Sequence, residues 1–88
     1  MTGQAVTVYT SGFCGYCIRV VSLLARRGIP FTEVSVEDHP GLRDELLAKS
    51  GRRTLPQVYV GDRFVGGADE IAAMDRDGGL SGFLQSEE

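Results

Sequence analysis

The chain has 88 residues, 42% of them apolar and 24% charged, with 9 basic against 12 acidic side chains and a net charge of −3. That is room for one small domain of globular composition and too little for two cores. It excludes the basic stripe of a nucleic-acid binder, and no apolar run approaches the ~20 residues of a membrane span.

Residues 6–9, Val-Thr-Val-Tyr, read as a buried strand, followed by a polar glycine-containing loop from Thr10 to Phe13. From Cys17 to Arg27 the pattern turns helical, with Ile18, Val21 and Leu24-Ala25 recurring at three- and four-residue spacing. Arg26-Arg27 suit the negative end of the helix dipole, Gly28 suits the position after it, and Pro30 bars continuation. Phe31 to Val36 alternates as a second strand, so strand, helix and strand suggest a parallel βαβ unit. Pro40 is expected in the first turn of a second helix that turns Leu42, Leu46 and Leu47 inward and stops near Ser50-Gly51.

Gln57 to Val60 and Arg63 to Val65 flank Gly61-Asp62, the composition of a two-residue hairpin of type II′. Ala68 to Arg76 forms a third helix with Ile71 and Met74 facing in. Leu80, Phe83 and Leu84 suit a short terminal helix, and Gln85 to Glu88 a frayed tail. The order β-α-β-α-β-β-α implies one domain over residues 1–88, a four-stranded mixed sheet flanked by helices in the thioredoxin-like manner.

The two cysteines, Cys14 and Cys17, carry most of the functional information. A stapled secreted domain usually shows four or more cysteines, and a structural zinc site usually takes four Cys or His ligands. This chain has two Cys and one His, so a lone C-x-x-C pair in a reducing compartment reads as redox chemistry. Met1 to Thr7 has neither the charged start nor the apolar stretch of a secretory signal, and the expected address is the cytoplasm. Cys14, at the start of a helix, meets unpaired backbone N–H groups and the positive end of the dipole, which favour an anion and hence the nucleophilic thiolate. Cys17, a turn further on, faces inward as the poorer nucleophile. Cys14 then attacks a substrate disulfide and Cys17 resolves the mixed disulfide. Gly15 adds backbone freedom between them and Tyr16 projects beside whatever binds. The blander reading, two inert cysteines at helical spacing, fits poorly with a strand before, a helix after and a loop between.

Two further segments are open to more than one reading. Thr54-Leu55-Pro56 stands just before a strand, where Pro is tolerated, and the frequency of cis X–Pro bonds favours trans there. Gly66-Gly67 precedes a helix opening with Ala68-Asp69-Glu70. Its N–H groups can hold a carboxylate and Asp69 an ammonium, together the α-amino acid end of a ligand. On these residues alone, a turn followed by ordinary helix polarity is the simpler account. His39, beside Pro40, reads as a surface or capping residue; Asp75 to Asp77 and Glu87-Glu88 read as solvated charge, and Arg43 to Lys49 as the outer face of the second helix.

Taken jointly, Tyr9-Thr10 through Cys14-Gly15-Tyr16-Cys17, Thr54-Leu55-Pro56-Gln57 and Gly66-Gly67-Ala68-Asp69-Glu70 resemble the glutaredoxin family in order and spacing, from about Val6 to Leu84. The resemblance implies a glutathione-dependent reductase of protein disulfides and of protein–glutathione mixed disulfides. It implies Cys14 as nucleophile, Cys17 as resolving thiol and glutathione as co-substrate. Leu55 would offer its backbone N–H and C=O to the glutathione cysteine, Pro56 would be cis, and Thr54 and Tyr16 would line the groove. Gly67, Ala68 and Asp69 would hold the γ-glutamyl end, and Arg52 or Arg53 the glycyl carboxylate. Three positions depart from the common pattern. Gly15 replaces the frequent Pro, and members with Gly or Ser there can often form dimers bridging a [2Fe–2S] cluster through the nucleophilic cysteine and glutathione of each half. Ser11 stands where many members carry Lys, which removes a cation near the thiolate and the glycyl carboxylate. Ala68 stands where many have another Cys, so a third redox-active thiol is excluded.

The leading expectation is therefore a monomeric oxidoreductase whose partners are glutathione and disulfide-bearing or glutathionylated proteins, without nucleic acid or membrane. The alternative is a cluster-bridged dimer serving as an iron–sulfur carrier or sensor. A third reading, an electron donor served by a flavoprotein reductase as thioredoxins are, sits badly with the absence of Trp and with Tyr16 in place of their usual Pro. Some small actinobacterial redoxins share Cys-Gly-Tyr-Cys and use another low-molecular-weight thiol; the Gly67 to Asp69 grip favours glutathione.

Overall fold

A computed structural model describes residues 5–12 and 14–80. Strand β1 (Val6–Thr10) leads to helix α1 (Gly15–Arg26) and strand β2 (Thr32–Ser35). A 3₁₀ turn over Val36–Asp38 precedes helix α2 (Leu42–Ser50). Strands β3 (Gln57–Val60) and β4 (Arg63–Gly66) and helix α3 (Ala68–Arg76) follow. The sheet order is β2-β1-β3-β4, with β1 parallel to β2 and antiparallel to β3, and β3 antiparallel to β4. This is the four-stranded mixed sheet of the thioredoxin-like fold.

Alternation along β1 and β3 divides the interior. Val6, Val8, Val58 and Val60 pack with Val20, Leu23, Leu24 and Ile71 on the α1/α3 side. Tyr59 faces the other way, onto Val36 and Leu46, with Tyr9, Leu55 and Phe64 packed around them. Tyr59 meets Tyr9 edge-on, ring centroids 5.3 Å apart, and Phe64 at 5.5 Å. Leu80 is buried in the α1/α3 core, as expected of the terminal segment, whereas Phe83, Leu84 and the 85–88 tail lie outside the described residues.

Helix α1 starts two residues earlier than its apolar period indicates, because Cys14 caps it and Gly15 is its first residue. Its far end closes as a Schellman motif. The Gly28 N–H donates to Ala25 O and the Ile29 N–H to Leu24 O, with Gly28 at φ +72°. Strand β2 is shorter than the alternation suggested, since Val36 turns into the 3₁₀ segment and buries its side chain there. Pro40 lies outside α2 rather than in its first turn. Gly41 at φ +85° caps the helix from a left-handed conformation, which breaks helical phase ahead of Leu42. Leu46 is buried, whereas Leu42 and Leu47 are only half-buried. The hairpin turns at Gly61 with φ +61° and no positive φ at Asp62, as a type II′ turn requires. Its register shifts between Val58 and Tyr59, so Val65 is an extra residue and β4 runs on to Gly66.

Candidate active site

The site is assembled from the N-terminus of α1, the turn before β3 and the N-terminus of α3. Cys14 has extended backbone dihedrals, and its Sγ accepts the N–H of Cys17 at 3.2 Å. Cys17 is thus the third helical residue, whose N–H is ordinarily taken by a hydroxyl, carboxylate or amide oxygen of the cap. A backbone donor aimed at Sγ at the positive end of a helix is an environment for a sulfur anion. Cys14 is half-buried and Cys17 buried, 3% exposed. Burial pushes the Cys17 thiol up to about 12, reinforced by its hydrogen bond with Cys14 and partly offset by one with the Ser11 backbone. The two thiols are therefore unequal: one half-buried on a helix terminus, the other buried and protonated beneath it.

The Cys14 thiol also lies 3.7 Å from the carbonyl oxygen of Leu55. The Leu55–Pro56 bond is cis, as the family resemblance implied and against the general frequency. The buried amide of Gln57 anchors the preceding loop: its Nε2 donates to Arg52 O at 3.0 Å and Thr54 O at 3.1 Å, and its Oε1 accepts from the Tyr59 hydroxyl at 3.1 Å. Gln57 belongs to a quoted motif, but its anchoring of this loop was not read from sequence.

Tyr16, Thr54, Leu55, Pro56, Gly67, Ala68 and Asp69 line one open groove of about 320 Å³, together with Arg52 and Glu70. The structure therefore brings into one place the seven positions that the family resemblance implied as glutathione contacts. Tyr16 stands at the rim, 58% exposed, with the Arg19 guanidinium 5.4 Å from its ring centroid. Gly67 precedes α3, whose early N–H groups have no intrahelical partner. Glu70 takes one of them: its Oε1 accepts the Gly67 N–H at 2.8 Å. The N–H groups of Ala68 and Asp69 are the next donors at that terminus.

Glu70 is a residue that sequence reasoning had treated as ordinary helix polarity. Its carboxylate also receives both terminal nitrogens of Arg52, at 3.1 and 2.8 Å. Arg52, and secondarily the Gly67 N–H, hold the Glu70 carboxyl down to about 2. The available signal was a Glu three residues after the helix cap. Arg52 also lies over the Phe64 ring at 5.1 Å. The two arginines named for the glycyl carboxylate differ in place. Arg52 reaches the groove, while Arg53 lines a neighbouring recess with Arg43, Leu46 and Leu55, which Arg52 also borders. A further contact unread from sequence is the Glu37 carboxylate, which accepts the Gly12 N–H of the cysteine loop at 2.8 Å. His39 is exposed, away from the cysteines in sequence.

The Glutaredoxin family model matches residues 6–65 of this chain. A glutaredoxin of Pseudomonas aeruginosa is 42% identical over 81 residues, covering 92% of this chain and 96% of that one. Glutaredoxin 3 of Escherichia coli is 36% identical over 80 residues, covering 91% and 96%. Among solved structures, glutaredoxin from Brucella melitensis superposes with a TM-score of 0.84 at 38% identity, over 98% of this chain and 94% of that one. A buckwheat glutaredoxin–glutathione complex does so at 0.84 and 30% identity, over 92% and 76%. A half-buried thiol capping a helix and a buried one within its first turn, beside a thioredoxin-like sheet, agree with these likenesses: the chain belongs to the glutaredoxin family, and its chemistry is that of a thiol–disulfide oxidoreductase.

Proposed function

We propose that this protein uses glutathione to reduce protein disulfides and protein–glutathione mixed disulfides, with Cys14 as nucleophile and Cys17 as resolving thiol. The observation that carries the reading is the 3.7 Å approach of Cys14 Sγ to Leu55 O at the edge of the groove. A ligand chain pairing with the Leu55 backbone as an added strand would bring its own cysteine sulfur to Cys14. The Ala68 and Asp69 N–H groups would receive the γ-glutamyl carboxylate, and the Asp69 carboxylate its ammonium. Tyr16, Thr54 and Pro56 would wall the tripeptide, and Gly67 would let its backbone approach. The likeness to a glutathione complex of buckwheat glutaredoxin supports the same ligand.

The chemistry balances with thiols alone. The Cys14 thiolate attacks the glutathione sulfur of a mixed disulfide; a Cys14–glutathione disulfide forms and the protein leaves as thiolate. A second glutathione thiolate then attacks that disulfide, releasing oxidised glutathione and the Cys14 thiolate. On a protein disulfide, the Cys14 thiolate attacks one sulfur, forming a Cys14–protein mixed disulfide and releasing the other sulfur as thiolate; Cys17 gives up its proton to that thiolate and attacks Cys14. The reduced protein thiol leaves, and two glutathiones later reduce the Cys14–Cys17 disulfide. No general base is required for the first step, because the helix terminus stabilises the attacking thiolate. The reducing cytoplasm is the compartment we propose for it. No observation favours the cluster-bridged dimer over this reading.

The test is glutathione-coupled reduction of the cysteine–glutathione mixed disulfide by the intact protein, Cys14→Ser and Cys17→Ser. Turnover by the intact protein and Cys17→Ser, with none by Cys14→Ser, is the expected result. Turnover by Cys14→Ser, or none by the intact protein, would overturn it.

A further inference from the structure

The two most exposed large apolar side chains among the described residues, Tyr16 at 58% and Ile18 at 66%, both lie in the first turn and a half of α1, beside Cys14. They border a trough between α1 and α3 whose wider part, beyond Tyr16, Ala68 and Asp69, the reductase chemistry above does not use. Its upper part is continuous with the site groove through Tyr16, Ala68 and Asp69. It passes over Leu23 and Ala72 into a wider recess of about 450 Å³ flanked by Arg19, Arg26 and Arg76.

The charge of this recess runs against that of the whole chain. The protein carries −3 overall, yet three exposed arginines flank the trough, and the acid in its wider part, Asp75, is already gripped by Arg27 at 2.7 and 3.0 Å. Arg26 also lies close enough to Asp75 to act on it electrostatically. The local surface is therefore an apolar floor of Ile18, Leu23 and Ala72 with a net positive rim. A substrate sulfur bonded to a glutathione that fills the groove leads its own chain out of that groove, and the trough opens beside Tyr16.

On these grounds we propose that the α1–α3 trough docks an acidic segment of the protein substrate, one bearing an apolar side chain between carboxylates. This deepens the oxidoreductase reading and rests on it. The trough does not touch the sulfur exchange itself. It selects among proteins by complementary charge, an effect that shows in KM and in salt dependence.

The experiment compares three glutathionylated substrates: cysteine alone, a peptide with Asp and Glu flanking a Leu near its cysteine, and the same peptide with Asn and Gln. The intact protein is run beside Arg26→Glu/Arg76→Glu and Arg26→Lys/Arg76→Lys, their folding checked by circular dichroism. The intact protein is expected to show a KM about tenfold lower for the acidic than for the neutral peptide. That preference should shrink as salt rises from about 0.05 to about 0.5 M. The Glu variant should lose the preference while turning over the small disulfide normally, and the Lys variant should keep it. Equal KM values for the two peptides, or a preference that survives in the Glu variant, would overturn the proposal. Failure on the small disulfide would instead overturn the oxidoreductase reading. Docking is then judged by fluorescence anisotropy of a labelled, cysteine-free acidic peptide: binding weakened by the Glu substitutions supports it, and binding absent or unchanged overturns it.

Discussion

Cys14 caps the helix that carries Cys17: its Sγ receives the Cys17 N–H at 3.2 Å, so the sulfur proposed as nucleophile is also a structural element of α1. The two thiols differ chiefly through the burial of Cys17. The capping sulfur is presented at the helix terminus, whereas Cys17 is buried under it with its thiol pushed up to about 12.

The first prediction follows from that inequality. In the reduced native protein at about pH 8, iodoacetamide should alkylate Cys14 at least about a hundredfold faster than Cys17, since only thiolates react. The thiolate fraction of Cys17 rises with pH and stays small until pH approaches its own value, so its labelling should appear only in strong alkali or on unfolding. Peptide mass mapping after a single alkylation reads this directly. Comparable modification of both sulfurs at pH 8 in folded protein would refute it.

A second prediction concerns the tight meeting of β4 with α3. A Cβ at Gly66 would come 2.5 Å from Glu70 Cβ, with helix α3 on one side and the sheet on the other. Gly66→Ala is expected to destabilise the protein by about 1–3 kcal/mol through overpacking. Gly15→Ala is the control: a Cβ there meets nothing within 4 Å, so its stability should change little. Urea unfolding of both variants checks the contrast.

Much of this architecture was legible because local chemistry and global fold agree. The Val-Thr-Val-Tyr period marks β1, Gly28 and Gly51 end α1 and α2 at φ +72° and +75°, and Gly61 turns the hairpin. What escaped was non-local or atypical. The start of α1 was hidden because a thiol is not among the usual capping groups. Gly41 displaced Pro40 from α2 because a left-handed cap leaves no apolar period to read. The role of Glu70 was missed because Arg52 lies 18 residues away in the chain. The groove joins Tyr16, Thr54-Leu55-Pro56 and Gly67-Ala68-Asp69 from three separated segments. Their separate patterns allowed several readings, and only the family resemblance joined them before the fold did.

Gln57 supplies the third prediction. It is 1% exposed, and its amide satisfies Arg52 O, Thr54 O and the Tyr59 hydroxyl. Gln57→Leu preserves much of the volume but takes their partner from the buried Tyr59 hydroxyl and from Thr54 O, while Arg52 O keeps the Ser50 hydroxyl at 3.3 Å. Each buried group left without a partner costs about 1–3 kcal/mol, so the loss of stability should be at least of that size. Loop 52–55 would lose its tether as well, and turnover of a small glutathione mixed disulfide should fall with stability. Denaturant melts and steady-state rates measured together test this; a variant as stable as the parent would contradict it.

The last prediction is a pH dependence. The Glu70 carboxyl sits at about 2 in the folded protein against 4.5 ordinarily, chiefly through Arg52. A carboxyl depressed by folding contributes stability that is fully present above its unfolded value and is lost as pH falls through the folded one. Glu70→Gln removes the charge, so the parent should be the more stable at pH 7. The difference should narrow from about pH 4.5 downward and vanish near pH 2. The pair is solvent-exposed, with side-chain accessibilities of 42% and 40%, so the pH 7 difference should be small and should fall further in high salt. Thermal melts of the two proteins across pH 2–7, at low and high salt, follow it directly. A gap that persists unchanged to pH 2 would show that Glu70 acts through packing and helix capping rather than through its charge.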